Sequence, residues 1–222
     1  MVSGPVDAVI SPAGPDAVAF LGRLLRMEPV ALVRLRPAGT GSGSGGLIDI
    51  WARLPFGALV TRRMPGQVPD VTVRAVELFE RVRAAGDRPV DGLPTARDAE
   101  WRWPLPGGAT REVEQLPAAV VREVASSAAK VVRQVVTGGV GGRPVGERVL
   151  RDALLDHVPF TVTTDAGERF EVSQRLVQAV ARMGFLGVDS TVRVLVVGPW
   201  VGLAAEYGTA WHRHSALLTS SI

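Results

Sequence analysis

The segment that most constrains the fold is a regular amphipathic stretch in the middle of the chain. From Pro117 to Thr137, apolar residues recur at the 3.6-residue spacing of an α-helix, and polar residues occupy the opposite side. The apolar side consists of Val120, Val121, Val124, Ala128, Val131, Val132 and Val135. This periodicity outweighs the poor helix propensity of valine. Because so broad an apolar face must be buried, we expect the helix to pack against another element or another chain.

The region before this helix predicts a small antiparallel sheet backed by helices. A first helix is predicted over Pro15–Met27, and a second begins with Asp70 as its N-cap and ends at Gly86. The three strand-like runs are Val30–Arg36, Leu47–Arg53 and Ala58–Arg63. The section from Asp87 to Pro117 is rich in proline and glycine, so we expect it to be irregular.

The residues after the long helix predict a small α/β lobe. The expected elements are a helix over Gly146–His157, strands over Phe160–Thr164 and Arg169–Val172, a helix from Ser173 to Met183, a strand over Thr191–Val197 and a short helix over Pro199–Tyr207. Two glycine-rich stretches predict a mobile hairpin loop at Pro37–Gly46 and an interdomain linker at Gly138–Gly146. We find no internal repeat in the sequence.

Together these elements predict an α+β protein in two lobes. Residues 1–115 form an N-terminal lobe with a three-stranded antiparallel sheet and helices. Residues 116–145 form the long connecting helix and the linker, and residues 146–222 form the small C-terminal α/β lobe. We expect a cytoplasmic protein, because neither a signal sequence nor an apolar run of membrane-spanning length is evident.

The composition and motifs argue against several kinds of chemistry. The chain has 222 residues and no cysteine, which excludes disulfides, thiolate zinc ligands and a cysteine nucleophile. Gly41, Gly43 and Gly46 match the G-x-G-x-x-G pattern, but a strand follows where a dinucleotide site requires a helix. The alternating His212 and His214 would need a further ligand to hold a metal ion. We therefore expect no catalytic residues, no cofactor and no metal, and we favour a protein that is not an enzyme.

The charge is weakly positive and unevenly spread. The chain has 25 lysine and arginine residues against 22 acidic ones, and Lys130 is the single lysine. Residues 1–145 hold 18 basic and 14 acidic side chains, whereas residues 146–222 hold 7 and 8. The preference for arginine is what a GC-rich genome produces through codon usage. Any binding of nucleic acid is therefore expected in the N-terminal half.

The predicted sheet offers a candidate surface for a partner or an anion. If residue 36 lies opposite 47 and residue 53 opposite 58, then Arg34, Asp49 and Arg62 lie in line across three strands. They then share the face opposite the helices with Trp51, which would be an aromatic anchor. The alternative is a row of solvated ion pairs with little effect on stability. A register slip of one residue would move a whole strand to the other face.

The densest mixture of charge and aromatic residues lies between residues 97 and 103. Arginine and tryptophan are enriched at binding hot spots, and both stack on single-stranded nucleic acids. We therefore include Arg97, Trp101 and Trp103 in the candidate surface. The alternative is that the tryptophans fill the edge of the core and that arginine–acid pairs hold the segment in place.

Three runs of sequence resemble a known group of proteins. They are Trp51-Ala-Arg-Leu-Pro-Phe-Gly-Ala-Leu-Val-Thr-Arg, Leu93-Pro-Thr-Ala-Arg-Asp-Ala-Glu-Trp101 and Arg182-Met-Gly-Phe-Leu186. Together they resemble a conserved family of uncharacterised actinobacterial proteins, over most of the chain. The resemblance implies an actinobacterial cytoplasmic protein and supplies no function.

Our leading hypothesis from the sequence is a non-enzymatic interaction or regulatory protein. It would associate with a protein partner or with itself through the long helix or the Trp51 face, because apolar surface is present without a catalytic constellation. One alternative is a nucleic-acid-binding protein that uses the basic N-terminal half. The other is a small-molecule-binding protein or enzyme with a cleft between the lobes. No membrane partner is expected.

Overall fold

The computed structural model describes residues 9–10, 14–40, 46–138 and 153–213. The chain divides into two compact units: the first comprises Met1–Pro55 and Leu59–Pro104, and the second comprises Phe56–Ala58 and Leu105–Ile222. Most of the two predicted glycine-rich stretches and most of the helix predicted over Gly146–His157 lie outside the described residues. Of that helix, residues 153–156 are described and are helical. The three-part division predicted from the sequence stays a prediction.

The first unit contains a four-stranded antiparallel array and two helices. Its elements are β1 (Val9–Ile10), α1 (Gly14–Met27), β2 (Leu32–Thr40), β3 (Gly46–Arg53), β4 (Leu59–Pro65), β5 (Val71–Arg74), α2 (Ala75–Ala85) and β6 (Val90–Asp91). The strand order is β5-β2-β3-β4, and β1 pairs separately with β6. Alternate strand residues such as Val33, Leu35 and Ile50 are fully buried. Every second residue of these strands thus faces the core, as expected of an antiparallel sheet with one buried face. The buried residues of α1 are Ala17, Phe20, Leu21 and Leu24.

The second unit also contains four antiparallel strands and two main helices, one of which is longer than either helix of the first unit. Its elements are β7 (Arg111–Pro117), α3 (Ala118–Gly138), β8 (Phe160–Thr163), β9 (Arg169–Val172), α4 (Gln174–Arg182), β10 (Thr191–Val197), β11 (Trp200–Ala205) and β12 (Gly208–Arg213). The strand order is β7-β10-β11-β12, and β8 and β9 form a separate hairpin. Helix α4 contributes most of its residues to the core, together with Met183 and Phe185 just after it.

The predicted fold class is wrong in its sheet content. Each unit has four main strands rather than one lobe having three, and α3 packs against α4 within the second unit instead of connecting two lobes. The predicted helix at Pro199–Tyr207 is strand β11, which is hydrogen-bonded on both sides by β10 and β12. Strands β1, β5, β6, β7 and β12 are not predicted from the sequence. Short edge strands carry little of the alternation that identifies a strand.

Most of the elements that were predicted agree with the structure to within a few residues. Helices α1, α3 and α4, strands β2 to β4 and β10, and the β8–β9 hairpin occupy their predicted places. Helix α2 ends before Gly86, as predicted, and Gly86 has a positive φ of 62°. Asp70, however, does not cap α2, because β5 intervenes and Arg74 occupies the N-cap position.

The two units share one arrangement of paired strands and packed helices. In each, a helix (α1 or α4) leads into three successive antiparallel strands. In each, an edge strand (β5 or β7) pairs with the first of those three and continues directly into a second helix, which packs on the first. The order along the chain differs, because the edge strand and its helix come last in the first unit and first in the second. The equivalence therefore lies in the pairing of the strands and the packing of the helices.

Candidate functional site

The predicted surface lies on one face of the sheet of the first unit, which we call the outer face. Its side chains alternate with the buried core residues of β2 and β3. Arg36 lies directly opposite Asp49, Asp49 lies opposite Arg63, and Arg34 lies opposite Trp51. The outer face therefore carries a row of opposite charges across three strands.

Arg62 does not belong to this row, and its predicted position is wrong. Arg53 lies opposite Leu59 and not residue 58, and this slip of one residue exchanges the two faces of β4. The Arg62 side chain is consequently only 11% exposed, and its Nη2 lies 2.6 Å from Oδ2 of Asp16 in the first turn of α1. Arg63 takes the place predicted for Arg62. The β2–β3 register differs from the prediction by two residues, which leaves the faces of Arg34 and Asp49 unchanged.

Asp70 joins two arginines at one end of the row. Arg34 donates from Nε to Oδ1 at 2.7 Å and from Nη2 to Oδ2 at 3.0 Å, and Arg36 donates from Nε to Oδ2 at 3.0 Å. The hydrogen bond from Arg34 is the largest cause that lowers the pKa of Asp70 below its ordinary value. The same bond raises the pKa of Arg34. Two guanidinium groups thus share one carboxylate, which leaves this end of the row with a net positive charge.

Asp49 and Arg63 form the second ion pair of the row. Arg63 donates from Nε to Oδ1 and from Nη2 to Oδ2, both at 2.9 Å, in a bidentate arrangement. The hydrogen bond with Asp49 is the largest cause that raises the pKa of Arg63. The side chain of Asp49 is 16% exposed and that of Arg63 is 59% exposed. The arginine therefore presents its guanidinium to solvent while the carboxylate lies beneath it.

The tryptophans of the candidate surface are mostly packed into the structure. Trp51 is 7% exposed and Trp101 is 9% exposed, so Trp51 is not an open aromatic anchor. The Trp101 indole donates to the carbonyl oxygen of Trp103 at 2.6 Å, and the two rings meet edge to face at 5.3 Å between centroids. The guanidinium carbon of Arg53 lies 5.1 Å from the centre of the Trp103 ring.

Arg97 and its neighbours bind the edge of β5. The Arg97 backbone N–H donates to the carbonyl of Thr72 at 2.7 Å, and the Thr72 N–H donates to Oδ1 of Asp98 at 2.6 Å. Arg97 also pairs with Glu100 at 3.1 Å. The structure thus brings Arg34, Asp49 and Trp51 together on the outer face. It places Arg97, Trp101 and Trp103 in the segment that follows the β5 edge, and Arg62 on the core side.

Sequence reasoning missed the residue that organises the cluster, which is Asp70. It was assigned to a helix cap because it precedes an apolar helical run. A signal was available: Arg34 and Arg36 are two apart on one strand, so both guanidinium groups share a face and can share a carboxylate partner.

A metal site at His212 and His214 would require a further ligand. Among the residues that the structure describes, no three His, Cys, Asp or Glu side chains could hold a metal ion, and His214 lies outside that part of the chain.

The fold resembles that of bacterial DNA polymerase sliding clamps. The chain matches a DNA polymerase sliding clamp from Caulobacter crescentus with a TM-score of 0.54 at 15% identity, over 94% of this chain and 65% of that one. It matches the β subunit from the DNA polymerase of Streptococcus pyogenes with a TM-score of 0.56 at 10% identity, over 94% of this chain and 64% of that one. The chain thus covers less than two thirds of these proteins, and the likeness concerns the fold alone.

The chain belongs to the family defined by a domain of unknown function, DUF8185, whose sequence model matches residues 105–217. A second domain of unknown function, DUF8010, matches residues 12–103. No curated protein matches this chain. The resemblance to an uncharacterised family is thereby confirmed, and the actinobacterial origin stays a prediction. Within the described ranges, no helix is long and apolar enough to cross a membrane.

Proposed function

We propose that this protein is a non-enzymatic interaction protein, with a clamp-like fold that serves as a scaffold for protein partners, a second copy included. The observation that carries the proposal is the fold, which this chain shares over 94% of its length with β subunits of DNA polymerase III. Function does not follow from a fold by itself, so a specific surface is needed. We propose that the outer face of the first unit is the contact surface.

The chemistry of the outer face supports this role. Arginine is enriched in protein interfaces, and Arg36 and Arg63 have 44% and 59% exposed side chains. Both arginines are already paired with carboxylates, which fixes their guanidinium groups in position before a partner arrives. The lowered pKa of Asp70 keeps that carboxylate charged to more acidic pH than an ordinary aspartate. A partner with acidic and amide groups would find donors in a fixed pattern.

The test is cross-linking of the full chain in its native host, followed by mass spectrometry. Because the chain has one lysine, the reagent should join carboxylates. We compare the double variant Arg36→Glu/Arg63→Glu with a matched control, Arg81→Glu/Arg83→Glu, which reverses two exposed charges on α2. We expect intermolecular products that are lost in the first variant and kept in the control. Products that are equally abundant in both would reject the outer face as the contact surface.

Binding of DNA is the second candidate, and the charge of the helices favours it. Helices α1 to α4 carry nine basic and four acidic side chains. The whole chain has 25 basic and 22 acidic side chains, so the residues outside these helices have 16 and 18. The positive charge is thus concentrated on the helices. Positively charged side chains attract the phosphate backbone without reading sequence.

The same two double variants distinguish the DNA-binding candidate from the protein-interaction candidate. Fluorescence anisotropy with duplex DNA at low salt should show binding that weakens with salt, and that Arg81→Glu/Arg83→Glu abolishes. Arg36→Glu/Arg63→Glu should leave this binding intact. If no anisotropy change occurs at low salt with the wild-type chain, the DNA candidate is rejected and the interaction proposal is unaffected.

A further inference from the structure

Strands β5 and β7 each have a neighbouring strand on one side only. Along such an edge strand in an antiparallel sheet, every second residue directs its backbone N–H and C=O away from the neighbouring strand. A row of these outward groups is a template on which a strand of another chain can pair. The bonds that the outward groups of β5 and β7 make therefore decide whether either edge can take up a further strand.

On β5, both outward groups of Thr72 are already bonded. The Thr72 N–H donates to Oδ1 of Asp98 at 2.6 Å, and the Thr72 carbonyl accepts from the backbone N–H of Arg97 at 2.7 Å. The next outward residue, Arg74, leads directly into α2. A strand that approached β5 would thus have to displace the segment around Asp98 before it could bond to Thr72.

On β7, a carboxylate of the strand itself occupies the outward amide. The backbone N–H of Gln115 donates to Oε1 of Glu114 at 2.7 Å. Two residues further along the same side, Pro117 has no N–H. On the other side of Gln115, Val113 is an extra residue in the register with β10, and such a bulge interrupts the ladder and twists the edge. Over residues 111–117, β7 therefore presents no regular row of free donors.

The charges of β7 act in the same direction. Glu112 and Glu114 are both exposed. If the β7 strands of two copies paired in antiparallel fashion about Val113, Glu112 of each copy would lie opposite Glu114 of the other. Like charges directly opposite each other destabilise a strand pair. A second copy would therefore meet both a bonded amide and an unfavourable charge pattern at this edge.

We propose that Asp98 and Glu114 block the edges of β5 and β7 against pairing with another copy of this chain. Each carboxylate accepts a backbone N–H that an incoming strand would need, so that strand must first break the existing bond. Association of the chain is thereby confined to surfaces formed by side chains. This inference goes beyond the proposed function and is independent of it, because neither carboxylate belongs to the row of charges on the outer face.

The test is sedimentation velocity of the full chain over a range of concentrations, with the wild type and Glu114→Ala compared. Glu114 is exposed, so its replacement leaves the core intact. We expect Glu114→Ala to associate with itself several-fold more strongly than the wild type, because the Gln115 N–H is freed and a repelling charge is removed. Glu123→Ala is the matched control: it removes one exposed acidic side chain from α3 and should behave like the wild type.

Two further variants assign the effect to the hydrogen bond. Glu114→Ala/Gln115→Pro removes the freed N–H itself, and proline is tolerated where an edge strand faces solvent, so self-association should return to the wild-type level. Glu114→Gln keeps an acceptor oxygen and should associate less than Glu114→Ala. The proposal is overturned if Glu114→Ala associates no more than the wild type, or if Glu114→Gln associates as strongly as Glu114→Ala.

Discussion

Asp70 shows how a single carboxylate organises a charged surface. It accepts three hydrogen bonds from two arginines that stand on the same face of β2. The side chains of Arg34, Asp70 and Arg36 are 32%, 37% and 44% exposed. Each of these ion pairs therefore contributes little to stability by itself. The value of the arrangement lies in fixing the directions of the guanidinium groups.

The first prediction concerns the pH dependence of this cluster. The pKa of Asp70 is lowered in the folded protein, so its contribution is present above the unfolded-state pKa and is lost as the pH falls through the folded-state pKa. We expect Asp70→Asn to reduce the free energy of unfolding by up to about 1 kcal/mol at neutral pH, after solvent screening. Urea unfolding of both proteins should show this difference vanishing in acid. A difference that grows on acidification would contradict the assignment.

The second prediction tests the register of β4. Arg62 is largely buried and pairs with Asp16, whereas Arg63 is mostly exposed and pairs with Asp49. Arg62→Gln should therefore destabilise the protein by about 1–3 kcal/mol, since the shorter side chain loses the ion pair with Asp16 and leaves part of a largely buried space unfilled. Arg63→Gln should cost less than about 1 kcal/mol. Equilibrium denaturation gives both numbers, and the reverse order would restore the register predicted from the sequence.

At this scale the sequence predicted the faces of β2 and β3 but not that of β4. Alternation places Arg34 and Asp49 away from the core for any even shift in register, so an error of two residues did no harm. The turn between β3 and β4 shifts the pairing by one residue relative to the prediction, which moves Arg62 to the other face. Turn geometry, unlike hydrophobic alternation, is weakly encoded in Pro55-Phe56-Gly57.

At the scale of elements, the pairing of β11 with β12 places a glycine directly opposite a tryptophan. Gly202 lies opposite Trp211, and a Cβ atom on Gly202 would come within 2.5 Å of the Trp211 ring. The indole fills the space that the missing side chain leaves. This packing explains why a glycine stands in the middle of a buried strand.

The third prediction follows from this contact. In a helix, Gly202→Ala would stabilise the chain, because alanine is the better helix former. In strand β11 it forces the Trp211 ring to move, and we expect a loss of about 1–3 kcal/mol from overpacking. Thermal unfolding decides the sign, and a raised Tm would contradict the observed strand.

The fourth prediction concerns the segment that closes the edge of β5. The Thr72 N–H donates to the carboxylate of Asp98, and Thr72 is buried. Asp98→Ala leaves this N–H without its acceptor, so we expect a loss of about 1–3 kcal/mol. Hydrogen exchange at the Thr72 amide should accelerate by more than that at the Val73 amide. Unchanged exchange at Thr72 would show that the carboxylate does not hold the edge.

Long periodic elements could be predicted from the sequence, and short edge elements could not. Helix α3 has the regular apolar spacing that identified it, although the side chains of its far half lie outside the described part of the chain. Strand β5 has four residues, and β7 is polar and exposed along most of its length, so neither shows a clear period of two. Strand β11 was mistaken for a helix because its small residues and flanking turn residues resemble a short helix with a glycine stop.

At the scale of the whole molecule, two units with the same arrangement of paired strands and packed helices carry different surfaces. The first presents the row of arginine–aspartate pairs, and the second contains a cavity lined in part by Leu176 of α4. The sequence could not reveal the shared arrangement, because strand pairing and helix packing conserve burial patterns and not residue identities. The charged candidate surface of the first unit and the expectation of no catalytic residues stay predictions.

The most direct test of the interaction proposal is the yield of intermolecular cross-links from the two charge-reversal variants. We expect the yield to fall to background in Arg36→Glu/Arg63→Glu, because the outer face loses its guanidinium donors. We expect Arg81→Glu/Arg83→Glu to match the wild type. Only intrachain cross-links in the wild-type protein, or an equal yield from both variants, would contradict the proposal that the outer face binds a protein.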